Sequence, residues 1–122
     1  QLLDLYKNPQ NHGRINDPDI SIHDYNPLCG DEVEVTATVE NGKIKDIRFT
    51  GKGCAISQAS ASLMTEDVKG KTLREVSKME RKNMSELLGV ELSVSRVKCM
   101  MLALVALKKG IVKYGSAGND IA

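Results

Sequence analysis

Four residues in this chain have the chemistry to hold a thiophilic ion: Cys29, Asp31, Cys54 and Cys99. Thiolate sulfur is a soft donor and carboxylate oxygen a hard one. Three of the first and one of the second satisfy tetrahedral zinc, or the two irons of a [2Fe–2S] cluster. Spacing alone leaves this open. There is no CxxC pair, and the separations are long. A free cysteine is often simply a small buried apolar residue, and Cys99 beside Met100 and Met101 fits that description. An aspartate after a glycine, as in Gly30-Asp31, is also a common turn residue. Lys98 places a cation next to Cys99, where it can stabilise a thiolate or offset the charge of a ligated cluster. His12 and His23 read as solvated loop residues, with His23 an outside candidate because it lies shortly before Cys29.

The elements around these residues bring them together. Val33, Val35, Ala37 and Val39 alternate with Glu34, Thr36, Thr38 and Glu40, a strand with one buried face. Asn41-Gly42 is a strong hairpin signal, and Ile44, Ile47 and Phe49 form the returning strand, with an irregularity between Ile44 and Ile47. Cys29 lies in the turn before this hairpin and Cys54 just after it, so the hairpin makes them neighbours. Gly51-Lys52-Gly53-Cys54 reads as a flexible corner, where glycine permits positive φ and lets backbone approach a bound ion.

A helix is expected from about Ser57, with Ile56, Ala59 and Leu63 on one face and Gly70 at its end. Thr72-Leu73-Arg74-Glu75 has the capping-box pattern, and Asn83-Met84-Ser85-Glu86 repeats it before Gly89. The last helix is expected from about Arg96 to Tyr114, with Ser95 as its N-cap and apolar residues around most of its girth. Cys99 would then lie near its first turn and Cys54 just ahead of the earlier helix, where the positive end of a helix favours thiolate. Leu2, Leu3, Leu5 and Tyr6 read as a helix tail, Asn8–Gly13 as a breaker and Ile20-Ser21-Ile22 as a short edge strand. A hairpin followed by helices predicts an α+β fold. That fold is a small antiparallel sheet with helices packed on one face, in one domain over residues 1–122 with a flexible tail after about residue 115.

Composition narrows the function classes. The 122 residues carry 17 Lys+Arg against 16 Asp+Glu, a net charge of +1, and aromatics make up 3%. Neither a basic field nor stacking platforms are present, so nucleic acid is not an expected partner. The longest apolar run, Met100–Leu107, is far short of the ~20 residues that span a bilayer, so no membrane is expected either. No basic start followed by an apolar stretch opens the chain, and three cysteines suit a reducing compartment. The expected location is the cytoplasm.

Longer motifs sharpen the reading. Asn26-Pro27-Leu28-Cys29-Gly30-Asp31, Gly51-Lys52-Gly53-Cys54-Ala55-Ile56-Ser57 and Arg96-Val97-Lys98-Cys99 resemble the IscU/SufU/NifU-N family of iron–sulfur cluster assembly scaffolds. Tyr6–Asn11, Ala59–Thr65 and Val68–Lys71 continue the resemblance, which covers the chain from Leu5 to about Ile111. It implies a small antiparallel sheet with helices on one side. It also implies a cluster site on Cys29, Asp31, Cys54 and Cys99, supported by Lys98, Gly51 and Gly53, with zinc as an occupant of the cluster-free form. The implied role is to assemble a [2Fe–2S] cluster from iron and sulfur and transfer it. The implied partners are a cysteine desulfurase, an electron donor such as ferredoxin and recipient apo-proteins, with a homo-oligomer compatible. On this reading the protein is a carrier and not an enzyme.

Two departures bear on the subtype. IscU-type members usually have His before the third cysteine, where this chain has Lys98. SufU-type members usually have Lys there but also an insertion between the second and third cysteines, which this chain lacks. Leu92-Ser93-Val94-Ser95-Arg96 stands where IscU-type members carry Leu-Pro-Pro-Val-Lys, which argues against dependence on a dedicated heat-shock chaperone. The alternative function is a zinc-dependent sulfurtransferase that accepts persulfide from a desulfurase, with Cys54 or Cys99 leaving zinc to attack. A purely structural zinc site ranks last, because the apolar core should survive metal loss.

Overall fold

The computed structural model describes residues 2–27, 30–119 and 121. Leu28 and Cys29 lie outside the described residues, so the expectations placed on Cys29 do too. Along the chain run α1 (Leu2–Lys7), β1 (Ile20–Tyr25), β2 (Glu32–Glu40), β3 (Lys43–Lys52), α2 (Ala55–Val68), α3 (Leu73–Ser77), α4 (Arg81–Leu88) and α5 (Val94–Ser116). The strands form an antiparallel sheet in the order β1-β2-β3. This is the α+β architecture expected from the order of patterns.

The hairpin follows from sequence. Asn41 and Gly42 both take positive φ, 54° and 74°, as a two-residue turn matched to strand twist requires. The register then shifts: Val39 pairs with Ile44, but Thr38 pairs with Asp46. Lys45 is the extra residue of a bulge, which returns both Ile44 and Ile47 to the inner face. Both are buried, as are Val33, Val35, Ala37 and Phe49. The outer face is not bare. Residues after α1 cross it, with Arg14 ion-paired to Glu34 at 3.0 Å and the Ile15 N–H donating to Thr36 Oγ1 at 3.1 Å. The free edge of β3 is also covered: the Phe49 N–H donates to the Asn11 carbonyl and the Gly13 N–H to the Phe49 carbonyl. Such cover blocks edge-to-edge association.

α2 and α5 pack against each other and lie on the inner face of the sheet. Several helix limits differ from expectation. α2 starts at Ala55, with Cys54 itself as N-cap. Ala59 is buried as expected, together with Ala61, Met64 and Val68 among its apolar residues, while Ile56 and Leu63 are only half-buried. Thr72 and Glu75 form the expected capping box. α4 starts at Arg81 after Glu80, whose N–H donates to Asn83 Oδ1 at 2.7 Å. Asn83 therefore acts inside the helix and not as the cap. α5 starts at Val94 after Ser93, because Leu92 and Val97 pack against the core and fix the entry of the chain. Its far end is tied down, with Asn119 Nδ2 donating to the Tyr114 carbonyl at 3.0 Å. No helix among the described residues is long and apolar enough to cross a membrane.

α2 is unusually polar for a buried helix, and two of its four hydroxyls accept bonds from outside it. Ser62 Oγ accepts from the Gln10 N–H at 2.7 Å, and Thr65 Oγ1 accepts from Asn11 Nδ2 at 3.1 Å. Together they anchor the segment after α1. Ser60 is fully buried and its Oγ has no partner among the described residues. An unsatisfied buried hydroxyl is costly, and alanine is the better helix former. Ser60→Ala is expected to raise unfolding free energy by about 1 kcal/mol, measured by urea titration. A loss of that size would show that the hydroxyl is engaged.

Candidate metal centre

The described donors converge at one end of the sheet, where β2 begins and β3 ends. One ligand atom each from Asp31, Cys54 and Cys99 lies within 4.8 Å of the other two. In tetrahedral zinc with Zn–S of 2.3 Å, neighbouring donors stand about 3.8 Å apart. Small rotamer adjustments would therefore close this triad on an ion, and the donor set suits a thiophilic metal.

Each donor is positioned by a different element. Asp31 precedes β2, in a loop closed by the Asn26 N–H donating to the Asp31 carbonyl and the Gly30 N–H to the Asn26 carbonyl, at 2.8 and 2.9 Å. These two bonds tie Asn26 to both Gly30 and Asp31. The Asp31 carboxylate is buried, at 4% exposure, so it needs partners. Cys54 supplies both: its N–H donates to Oδ1 at 3.2 Å and its thiol to Oδ2 at 3.5 Å.

Cys54 caps α2 with its own side chain, since Sγ accepts the Ser57 N–H at 3.4 Å. The positive end of the helix therefore faces this sulfur. The same argument does not hold for Cys99. With α5 starting at Val94, Cys99 lies in the second turn, beyond the first turn over which the helix dipole acts strongly. Cys99 is buried at 3% exposure, Cys54 is half-buried, and Lys98 is exposed on the adjoining surface.

The glycines act through close approach rather than positive φ. Gly51 lies within β3, paired with Val33, and a Cβ there would run into the Glu32 carbonyl oxygen. Only Gly53 belongs to the corner proper. A Cβ on it would lie 2.8 Å from Asp31 Cγ and Oδ1 and 3.0 Å from Ser57 Oγ. Ser57 is a residue that sequence reasoning missed. The available signal was its place three residues after an N-cap, where a backbone N–H is always offered to the cap side chain. His23, the outside candidate, is exposed on β1 opposite Glu34 and is not part of the cluster.

Comparison with known proteins gives the family. The NifU-like N-terminal domain family matches residues 1–119, and the chain belongs to that family. It is 35% identical to the zinc-dependent sulfurtransferase SufU of Bacillus subtilis, over 92% of this chain and 87% of that protein. It is 39% identical to the iron-sulfur cluster assembly scaffold protein IscU 1 of Archaeoglobus fulgidus, over 93% of this chain and 74% of that protein. Among solved structures, a putative SUF-system scaffold from Fervidobacterium islandicum aligns with a TM-score of 0.74 at 32% identity, covering 90% of this chain and 93% of that one. A NifU-like N-terminal protein from Brucella abortus shares the fold, with a TM-score of 0.78 at 23% identity over 94% of this chain and 92% of that one.

Gly53→Ala is expected to displace the Asp31 carboxylate while leaving the cysteines in place. Outer support of this kind typically carries 10–100-fold in metal affinity. A zinc competition titration against a chromophoric chelator should therefore show weakening of about tenfold or more. Unchanged affinity would mean that Asp31 does not contribute to the site.

Proposed function

We propose that this protein assembles a [2Fe–2S] cluster on Cys29, Asp31, Cys54 and Cys99 from iron and desulfurase-derived sulfur, and passes it to recipient proteins. The observation that carries this reading is the convergence of two thiols and one buried carboxylate at the loop end that leads into Cys29. Scaffold relatives of similar length support it. One hard oxygen among soft sulfurs holds iron less firmly than four thiolates would, which suits a site that must release its cargo.

Sulfur arrives by a redox-neutral exchange. An acceptor thiolate attacks the outer sulfur of the donor's persulfide. A new S–S bond forms as the donor's S–S bond breaks, the donor leaves as thiolate, and the proton remains on the transferred sulfur. Each transferred sulfur then needs two electrons to become sulfide. Ferrous iron supplies part of these as it is oxidised, and an electron donor such as ferredoxin supplies the rest. Of the two described thiols, Cys54 is the more open and is held by a helix N-terminus, so it meets the persulfide before Cys99.

The zinc-dependent sulfurtransferase is the second reading. The Bacillus relative carries that name, and Lys98 adds a cation that can attract an anionic persulfide. The two readings separate on anaerobically purified protein incubated with iron, cysteine and a desulfurase. The scaffold reading expects iron and acid-labile sulfide in equal amounts, with a charge-transfer spectrum that disappears in Cys54→Ser and Cys99→Ser. Tightly held zinc, no cluster after reconstitution and faster desulfurase turnover would contradict it and establish the sulfurtransferase.

A further inference from the structure

The Asp31 carboxylate has a polar neighbour that it does not use. The Cys54 N–H and thiol donate to it, but the Ser57 hydroxyl does not. Ser57 is buried, at 5% exposure, and its N–H donates to Cys54 Sγ. Its Oγ makes no hydrogen bond among the described residues. Gly53 shows where that oxygen stands. A Cβ on residue 53 would lie 2.8 Å from Asp31 Oδ1 and 3.0 Å from Ser57 Oγ. The two oxygens therefore border one small space, kept open by the lack of a side chain at 53. Helix formation gives no reason for a serine here, because alanine is the better helix former. The bond to Cys54 Sγ gives none either, because it uses only the backbone N–H.

Ion binding changes what Asp31 needs. An ion held by Cys54 takes the place of the thiol proton, so Asp31 loses its S–H donor and keeps only the Cys54 N–H. Carboxylates that bind metals are themselves held by hydrogen bonds from residues outside the ligand set. We propose that Ser57 is a positioning residue for the oxygen ligand: with an ion in the centre, its hydroxyl donates across the space over Gly53 to the Asp31 carboxylate. The donor lost from Cys54 is thus replaced by one already standing beside the site. The inference rests on Asp31 as a ligand, as in the functional reading above, and applies equally to a cluster and to zinc. It adds which side chain keeps the carboxylate in place once the thiol has given up its proton.

The test is a double-mutant cycle on zinc affinity in the full chain. Ser57→Ala, Asp31→Ala and Asp31→Ala/Ser57→Ala are each titrated against a chromophoric chelator, and each metal-free protein is unfolded in urea. Ser57→Ala is expected to bind zinc about tenfold or more weakly than the parent. Its metal-free form is expected to unfold at no lower urea concentration, because no hydrogen bond is lost. With Asp31 already replaced, removing the hydroxyl is expected to change nothing further, since two residues that act through one contact are not additive. Parental affinity in Ser57→Ala, or the same further loss in the Asp31→Ala background, would overturn the inference and leave Asp31 as a ligand. Weaker binding matched by a loss of metal-free stability would overturn it too, by making the hydroxyl part of the fold. Parental affinity in Asp31→Ala would remove the oxygen ligand from the functional reading and this inference with it.

Discussion

The site depends on one buried carboxylate. Asp31 is almost fully removed from solvent, and a buried carboxylate without partners would be strongly destabilising. Among the described residues its partners are the N–H and thiol of Cys54. This link joins the start of β2 to the cap of α2, so the hydrogen-bonding need of one side chain fixes two of the proposed ligands relative to each other. It also explains the glycine at 53, since any side chain there would meet the carboxylate. The same contacts hold the Asp31 carboxylate beside the Cys54 sulfur, with a Cys99 ligand atom within 4.8 Å of both.

The rest of the fold holds this cluster in place. The β2–β3 register sets the distance between the Asp31 loop and the Gly53 corner, and the bulge at Lys45 keeps that register compatible with a buried inner face. Cys99 arrives on α5, a helix packed into the core, with Met100, Ala103, Leu104 and Leu107 buried around it. A ligand on such a helix is positioned by packing rather than by a loop. Asp31 and Cys54, by contrast, sit on short connections whose backbone bonds are local. The candidate centre therefore combines one donor anchored in the core with two donors on connections held together by their own hydrogen bonds.

Much of this was legible in the sequence, and the exceptions have physical causes. The alternation from Val33 to Val39, the Asn41-Gly42 turn and the three-residue step from Ile44 to Ile47 together specify the hairpin and its bulge. Thr72 and Glu75 show their capping box directly. The start of α5 was not legible, because Ser93 and Ser95 are both suitable caps and the choice falls to the packing of Leu92 and Val97. The same shift moved Cys99 from the first turn to the second. The segment around Asn11 to Ile15 has no periodicity, yet it covers a strand edge and part of the outer face through tertiary hydrogen bonds. In the site, residue types pointed to Asp31, Cys54 and Cys99, whose donor atoms the fold brings together. That Asp31 would bond to Cys54, across the hairpin, could not be read from local spacing, which placed it only beside Cys29.

The proposed centre is a single mixed ligand set, and X-ray absorption at the zinc edge of the zinc-loaded protein tests it most directly. Three sulfurs at about 2.3 Å and one oxygen at about 2.0–2.2 Å are predicted, with the oxygen shell changed and the sulfur shell kept in Asp31→Ala. A shell with fewer than three sulfurs, or one that is the same with and without the Asp31 carboxylate, would contradict it.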